Sequence, residues 1–123
     1  MVELMTDMPD HVAAYKASEA ISKEEYESIV MTRVNGVAER YGKIDFLVLL
    51  ETSMTNYSIA AFIDYLKISF KHFTRWNRMA IVSDEAWVRN VYDLLGHVVR
   101  GEIRVYEISE LQEAKNWVSG IEP

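Results

Sequence analysis

Ile44-Asp45-Phe46-Leu47-Val48-Leu49-Leu50 is apolar at every position but one. A strand buried on one face alternates apolar with polar residues, whereas a strand buried on both faces reads as a continuous apolar run. This stretch is therefore expected to be a central strand. Tyr41-Gly42-Lys43 precedes it with a helix-ending glycine, and a polar loop, Glu51-Thr52-Ser53-Met54-Thr55-Asn56-Tyr57-Ser58, follows it. Helix, buried strand and loop in that order make one unit of an α/β sheet domain.

Toward the N-terminus, Ser22-Lys23-Glu24-Glu25 has capping-box spacing, with the Ser22 hydroxyl over the first turn and Glu25 reaching back. The helix it opens carries Tyr26, Val30, Val34, Val37 and Tyr41 on one stripe and stops at Gly42. Pro9-Asp10 separates two extended stretches, Val2 to Met5 and His11 to Glu19, which read as an antiparallel hairpin. Toward the C-terminus, a second helix runs from about Ile59 to Phe73, with Ser58 as its expected N-cap. Arg78 to Ser83 is a strand, and Asp84 is the expected cap of a third helix, about Glu85 to Val99, closed by Gly101. Glu102 to Glu107 alternates Ile103 and Val105 with Arg104 and Tyr106, as an edge strand does. Ser109-Glu110-Leu111-Gln112 reads as a second capping box, opening a last helix with Leu111, Ala114, Trp117 and Val118 inward. The expected order is ββαβαβαβα in one domain over residues 1–123. That is a small α/β fold with a mixed, mainly parallel sheet and crossover helices.

Composition narrows the function classes. The chain has 123 residues, 50% hydrophobic and 26% charged, enough for one core without a covalent staple. Cysteine is absent, which excludes disulfides, thiolate zinc sites, iron–sulfur clusters and thiol nucleophiles. Thirteen basic residues against nineteen acidic ones give −6, the wrong sign for a general nucleic-acid binder. Met1-Val2-Glu3-Leu4 lacks the basic start of a signal peptide. The run from Phe46 to Leu50 falls far short of the ~20 residues that span a bilayer. The expected location is cytoplasmic, with peripheral contact at the inner membrane face if the basic cluster described below meets lipid.

Three stretches resemble a known family. Trp76-Asn77-Arg78-Met79-Ala80-Ile81-Val82-Ser83-Asp84-Glu85-Ala86-Trp87-Val88-Arg89 has the family's R-(I/M)-A-(I/V)-V-(S/T)-D-x-x-W pattern. Gly101-Glu102-Ile103-Arg104-Val105-Tyr106, followed by Glu110-Leu111-Gln112-Glu113-Ala114-Lys115-Asn116-Trp117, matches its C-terminal motif, and Tyr41-Gly42-Lys43-Ile44 fits its N-terminal half. Nearly the whole chain thus resembles the SpoIIAA-like (STAS/SEC14-like) group of small bacterial proteins. The resemblance implies a fold shared with anti-sigma-factor antagonists and, more loosely, with lipid-carrying CRAL-TRIO domains. It also implies a non-enzyme that binds or regulates, with lipid or membrane association. The antagonists' phosphorylatable serine lies in an Asp-Ser-Ser-Gly-type turn before the second helix; here the position reads Thr52-Ser53-Met54-Thr55-Asn56-Tyr57-Ser58, without that motif.

Several constellations carry two readings each. On the second helix Ile59, Phe62, Ile63, Leu66, Phe70 and Phe73 form the core stripe, while Ala61, Tyr65, Ile68 and His72 form another nearly opposite. The second stripe meets a neighbouring helix or a dimer partner, or else it walls an apolar ligand pocket. The third helix has a wide apolar arc including Trp87, Val91, Tyr92 and Leu95, so it either packs on the second helix or parts from it to admit a lipid-like chain. From Tyr65 to Ser83 there is no acid, but Lys67, Lys71, Arg75 and Arg78 are basic and Trp76 lies among them. Such a cluster suits anionic headgroups, and it equally complements a helix C-terminus. Ser53, Thr55 and Ser58 offer hydroxyls at a helix N-terminus, for capping, for anion binding or as phosphosites.

No catalytic motif stands out. His11, His72 and His97 are too scattered for a metal site, and no nucleophile elbow, P-loop or dinucleotide fingerprint occurs. The leading expectation is a non-catalytic module binding an apolar or lipid-like ligand between the second and third helices, with membrane-surface contact. The alternative is a protein-interaction regulator of the antagonist type, acting through Thr52 to Ser58 on a protein partner or a second copy. A small hydrolase using Glu51 and Asp84 stands third. No cofactor or metal is expected.

Overall fold

The computed structural model describes residues 1–72, 75–90 and 101–121, the side chains of 70–72 excepted. Its sheet has five strands in the order of the chain: β1 (Val2–Leu4), β2 (Val12–Ala17), β3 (Ile44–Leu50), β4 (Trp76–Val82) and β5 (Glu102–Tyr106). β1 pairs antiparallel with β2, and the other three pairings are parallel. β3 is central and buried along its whole length, as its apolar run requires.

Right-handed crossovers between parallel strands laid down in one direction place their helices on one face. That face carries α1 (Lys23–Glu25), a π-helical stretch (Tyr26–Met31), α2 (Thr32–Tyr41) and α3 (Asn56–His72). Ile44, Phe46, Val48 and Leu50 of β3 enter this layer with Val30, Val34, Phe62 and Leu66. The opposite face receives α4 (Leu111–Ser119), whose Ala114 and Val118 pack on Leu47 and Leu49. The alternation of β3 thus divides its side chains between two cores.

Several helix boundaries differ from the sequence reading. Ser22 Oγ caps α1 by accepting from the Glu25 N–H at 3.0 Å, but the Glu25 carboxylate accepts from the Val2 N–H at 2.7 Å. It ties β1 to the helix and does not close a capping box. Gly42 ends α2 in the left-handed region (φ 73), as expected. The 3-10 turn Ile108–Glu110 is capped by Glu107 with Glu110 reciprocating, so the Ser109 capping box is corrected to one that starts two residues earlier. A 3-10 turn, Ala86–Asn90, follows β4. The rest of the expected third helix, with Val91, Tyr92, Leu95 and His97, lies outside the described residues, as do the side chains of Phe70, Lys71, His72 and Phe73.

The π-helical stretch has a partner in the sheet. Tyr15, fully buried on β2, donates its hydroxyl to the Val30 carbonyl at 2.9 Å. Burial pushes that phenol well above its usual range, so it remains a neutral donor.

Candidate functional site

Open α/β sheets bind ligands and partners at the C-terminal ends of their parallel strands. Here that edge is formed by the loop between β3 and α3 together with the ends of β2 and β4. Met54, 4% exposed, sinks into the core and pins the loop. The Glu51 N–H donates to the Ala17 carbonyl at 2.9 Å, and the Glu51 carboxylate pairs with Lys16 at 3.0 Å. Ser53 Oγ accepts from the Glu19 N–H at 3.1 Å, holding a turn in which Glu19 is left-handed (φ 55).

Thr55, not Ser58, caps α3. Its Oγ1 accepts from the Ser58 N–H at 3.1 Å and donates to Ser58 Oγ at 3.0 Å. The helix therefore begins three residues earlier than the apolar stripe suggests, at Asn56. The Asn56 side-chain oxygen accepts from the Trp87 indole N–H at 2.9 Å, joining α3 to the turn after β4. Beside it Tyr57 is 85% exposed, more than any other large hydrophobic side chain described.

After β4, Ser83 Oγ accepts from the Glu85 N–H at 3.1 Å, while Asp84 accepts from the Ile108 N–H at 2.9 Å. Asp84 thus stitches two loops and does not act as the expected helix cap. Glu51 and Asp84 each have a structural partner on their own side of this edge, Lys16 for one and the Ile108 N–H for the other.

A second feature lies along α3. Tyr65 and Ile68 line a crevice of about 290 Å³ whose far wall is Tyr26, Glu27 and Met31 of the π-helical stretch. The expected pocket lay between the second and third helices; this crevice lies between the first and second. Trp87 is not among its lining residues, being held by Asn56, and Ala61 is half-buried outside it. The Tyr26 and Ser69 hydroxyls stand 2.8 Å apart at its base. Burial pushes the Tyr26 phenol up to about 12, with the Ser69 hydrogen bond partly opposing. Ile68 is 55% exposed.

The basic cluster is not one surface. Lys67 is half-buried and Arg75 exposed, but Trp76 is 6% exposed and packs edge-on against Phe46 with ring centroids 6.0 Å apart. Arg78 lies on the opposite face of the sheet, where Nη1 donates to the Trp117 carbonyl at 2.6 Å. Two residues two apart on a strand ordinarily share a face. Here the register steps from Ile44↔Trp76 to Asp45↔Arg78, so Asn77 is an extra residue and the strand reverses its faces. Trp76 and Arg78 are accordingly removed from the headgroup reading.

The sequence reading takes Asn56 and Tyr57 only as members of the loop Thr52 to Ser58, and Glu19 only as the end of the stretch from His11, without singling any of them out. An isolated aromatic within a polar loop was the available signal for Tyr57; nothing local announced the other two.

Among the described residues no helix is long and apolar enough to cross a membrane, and no group of three or more His, Cys, Asp or Glu could hold a metal ion. No curated protein and no solved structure matches the chain. A family model does match, from the first residue of β2 to the last of α4. Over residues 12–119 the match is to the family described as SpoIIAA-like, and the chain belongs to that family.

Proposed function

We propose that this chain is a non-catalytic regulatory module that binds a protein partner at the C-terminal edge of its sheet, through the loop Thr52 to Ser58. SpoIIAA-like membership supports protein interaction at a general level. The observation that carries the reading is Tyr57, exposed in the first turn of α3 behind a loop braced by Ser53, Thr55 and Asn56. Rigid aromatic side chains are the usual anchors of protein interfaces, and braced loops on a sheet scaffold are where binding residues concentrate. Ser53 and Thr55 stand on the same surface as candidate phosphosites.

Tyr57→Asp tests this cleanly. The position is the second of α3, where a negative charge favours the helix dipole, so stability should change by less than about 0.5 kcal/mol. A protein that co-purifies from the host with the parent, and with Leu4→Asp at the exposed β1, should be lost with Tyr57→Asp. Recovery of the same protein by all three forms would sink the reading.

A second reading rests on the crevice lined by Tyr26, Met31, Tyr65 and Ile68, which suits an apolar or lipid-like group. Lys67 and Arg75 would then meet an anionic membrane surface. Ile68→Asp should stay folded, with a change below ~1 kcal/mol as at other exposed sites, and should lose uptake of a fluorescent fatty acid that the parent takes up. Equal uptake by mutant and parent removes this reading.

A further inference from the structure

At the N-terminal edge of the sheet, where β3, β4 and β5 begin, lies a cavity of about 460 Å³. Asp45 lines it and is only 2% exposed. One carboxylate oxygen accepts from the Asn77 amide at 2.8 Å; among the described residues the other has no partner. Buried carboxylates are ordinarily paired, because an isolated charge out of water is costly. Arg78 is the neighbour across the β3–β4 ladder, yet its guanidinium is drawn to Trp117, donating to the carbonyl and lying 5.3 Å from the ring.

The backbone holds this arrangement open. The extra residue Asn77 turns its amide onto Asp45, and Gly101 of the neighbouring segment lies against the bulge. A Cβ on Gly101 would stand 2.2 Å from the Asn77 carbonyl oxygen. Bulges commonly re-aim a side chain beside a binding site.

The remaining lining fixes the ligand's chemistry. Glu102, whose carboxylate stands 3.7 Å from Arg104, borders the same cavity and adds a second carboxylate, while the C-terminal turn of α4 already receives Arg78 at the Trp117 carbonyl. Two carboxylates, one of them buried, call for a cation with N–H donors. No metal-holding cluster of His, Asp or Glu is present among the described residues, so an organic ammonium fits better than a metal ion. Lys43, His11 and Arg78 also line the cavity, and the first two can receive a carboxylate.

We propose that this cavity binds a small primary ammonium compound, with the ammonium on Asp45. The ligand could be a bare amine or the zwitterion of a small amino acid, and three probes separate them: propylamine, L-alanine and propionate. The readout is the Asn77 side-chain amide and the Gly101 N–H in two-dimensional NMR. Propylamine and L-alanine should shift both signals saturably at millimolar concentration, and propionate should not. Tighter L-alanine binding identifies a zwitterion site, tighter propylamine binding a bare-amine site. Asp45→Asn keeps the acceptor for Asn77 and should weaken binding about tenfold, the usual scale for losing a charge-assisted hydrogen bond. Glu102→Gln, at an exposed position, should weaken it about threefold without touching the core. No saturable shift from either ammonium probe, equal binding of propionate, or unchanged affinity in both variants would overturn the proposal.

Discussion

At the C-terminal end of the strands, Ser53, Thr55, Ser83 and Asp84 each accept from a backbone N–H of a loop or helix start. At the N-terminal end, Asp45 accepts from a single amide and lines a cavity. One edge spends its polar groups on making loops rigid and leaves an exposed aromatic outside. The other holds a buried carboxylate beside a cavity. The first arrangement suits a broad macromolecular surface, and the second suits a small, charged ligand.

The largest expected effect tests the N-terminal edge. Gly101→Ala drives a Cβ into the backbone of Asn77 and Trp76, at 2.2 and 2.6 Å from their carbonyl oxygens. Neither atom can rotate away, so the change should cost about 3 kcal/mol, the upper range for overpacking. Chemical denaturation that shows a loss below about 1 kcal/mol would mean the bulge is not held as described.

Next comes the C-terminal edge. Thr55→Ala removes the cap of α3 and should cost ~1 kcal/mol, while Ser58→Ala should cost clearly less. Equal losses would return the cap to Ser58 and erase the bracing on which the comparison rests. The smallest effect is a control outside both edges: Gly36→Ala, in α2 with nothing within 4 Å of the new Cβ, should gain about 0.5–1 kcal/mol. Opposite signs for the same substitution at Gly36 and Gly101 would isolate the close approach as the cause.

The parts of this fold legible in the sequence are those set by period and composition. The run from Ile44 to Leu50 is the central strand, Tyr26 to Val37 faces the core, and Glu102–Tyr106 lies at the sheet's edge. The parts that were not legible depend on register and on partners distant in sequence. Nothing around Asn77 distinguishes a bulge from regular strand, so Trp76 and Arg78 were assigned to one surface. Thr55 and Ser58 are both good cap residues, and only the start of the helix at Asn56 chooses between them. The π-helical stretch Tyr26–Met31 is marked by no special residue; it accompanies the buried Tyr15 hydroxyl, which comes from another element. Of the candidate site residues, Ser53 and Thr55 stand at the braced loop. Tyr65 and Ile68 line a crevice whose other wall is not the one expected.

The central claim is that protein recognition belongs to the edge bearing Tyr57. A photo-reactive benzophenone amino acid placed at Tyr57, or at Glu102 on the opposite edge, tests it directly. Both positions are exposed, so both variants should fold as the parent does. On illumination in the host cell, the account predicts a discrete protein adduct from position 57 and none from position 102. An adduct from position 102 with none from position 57 would contradict it.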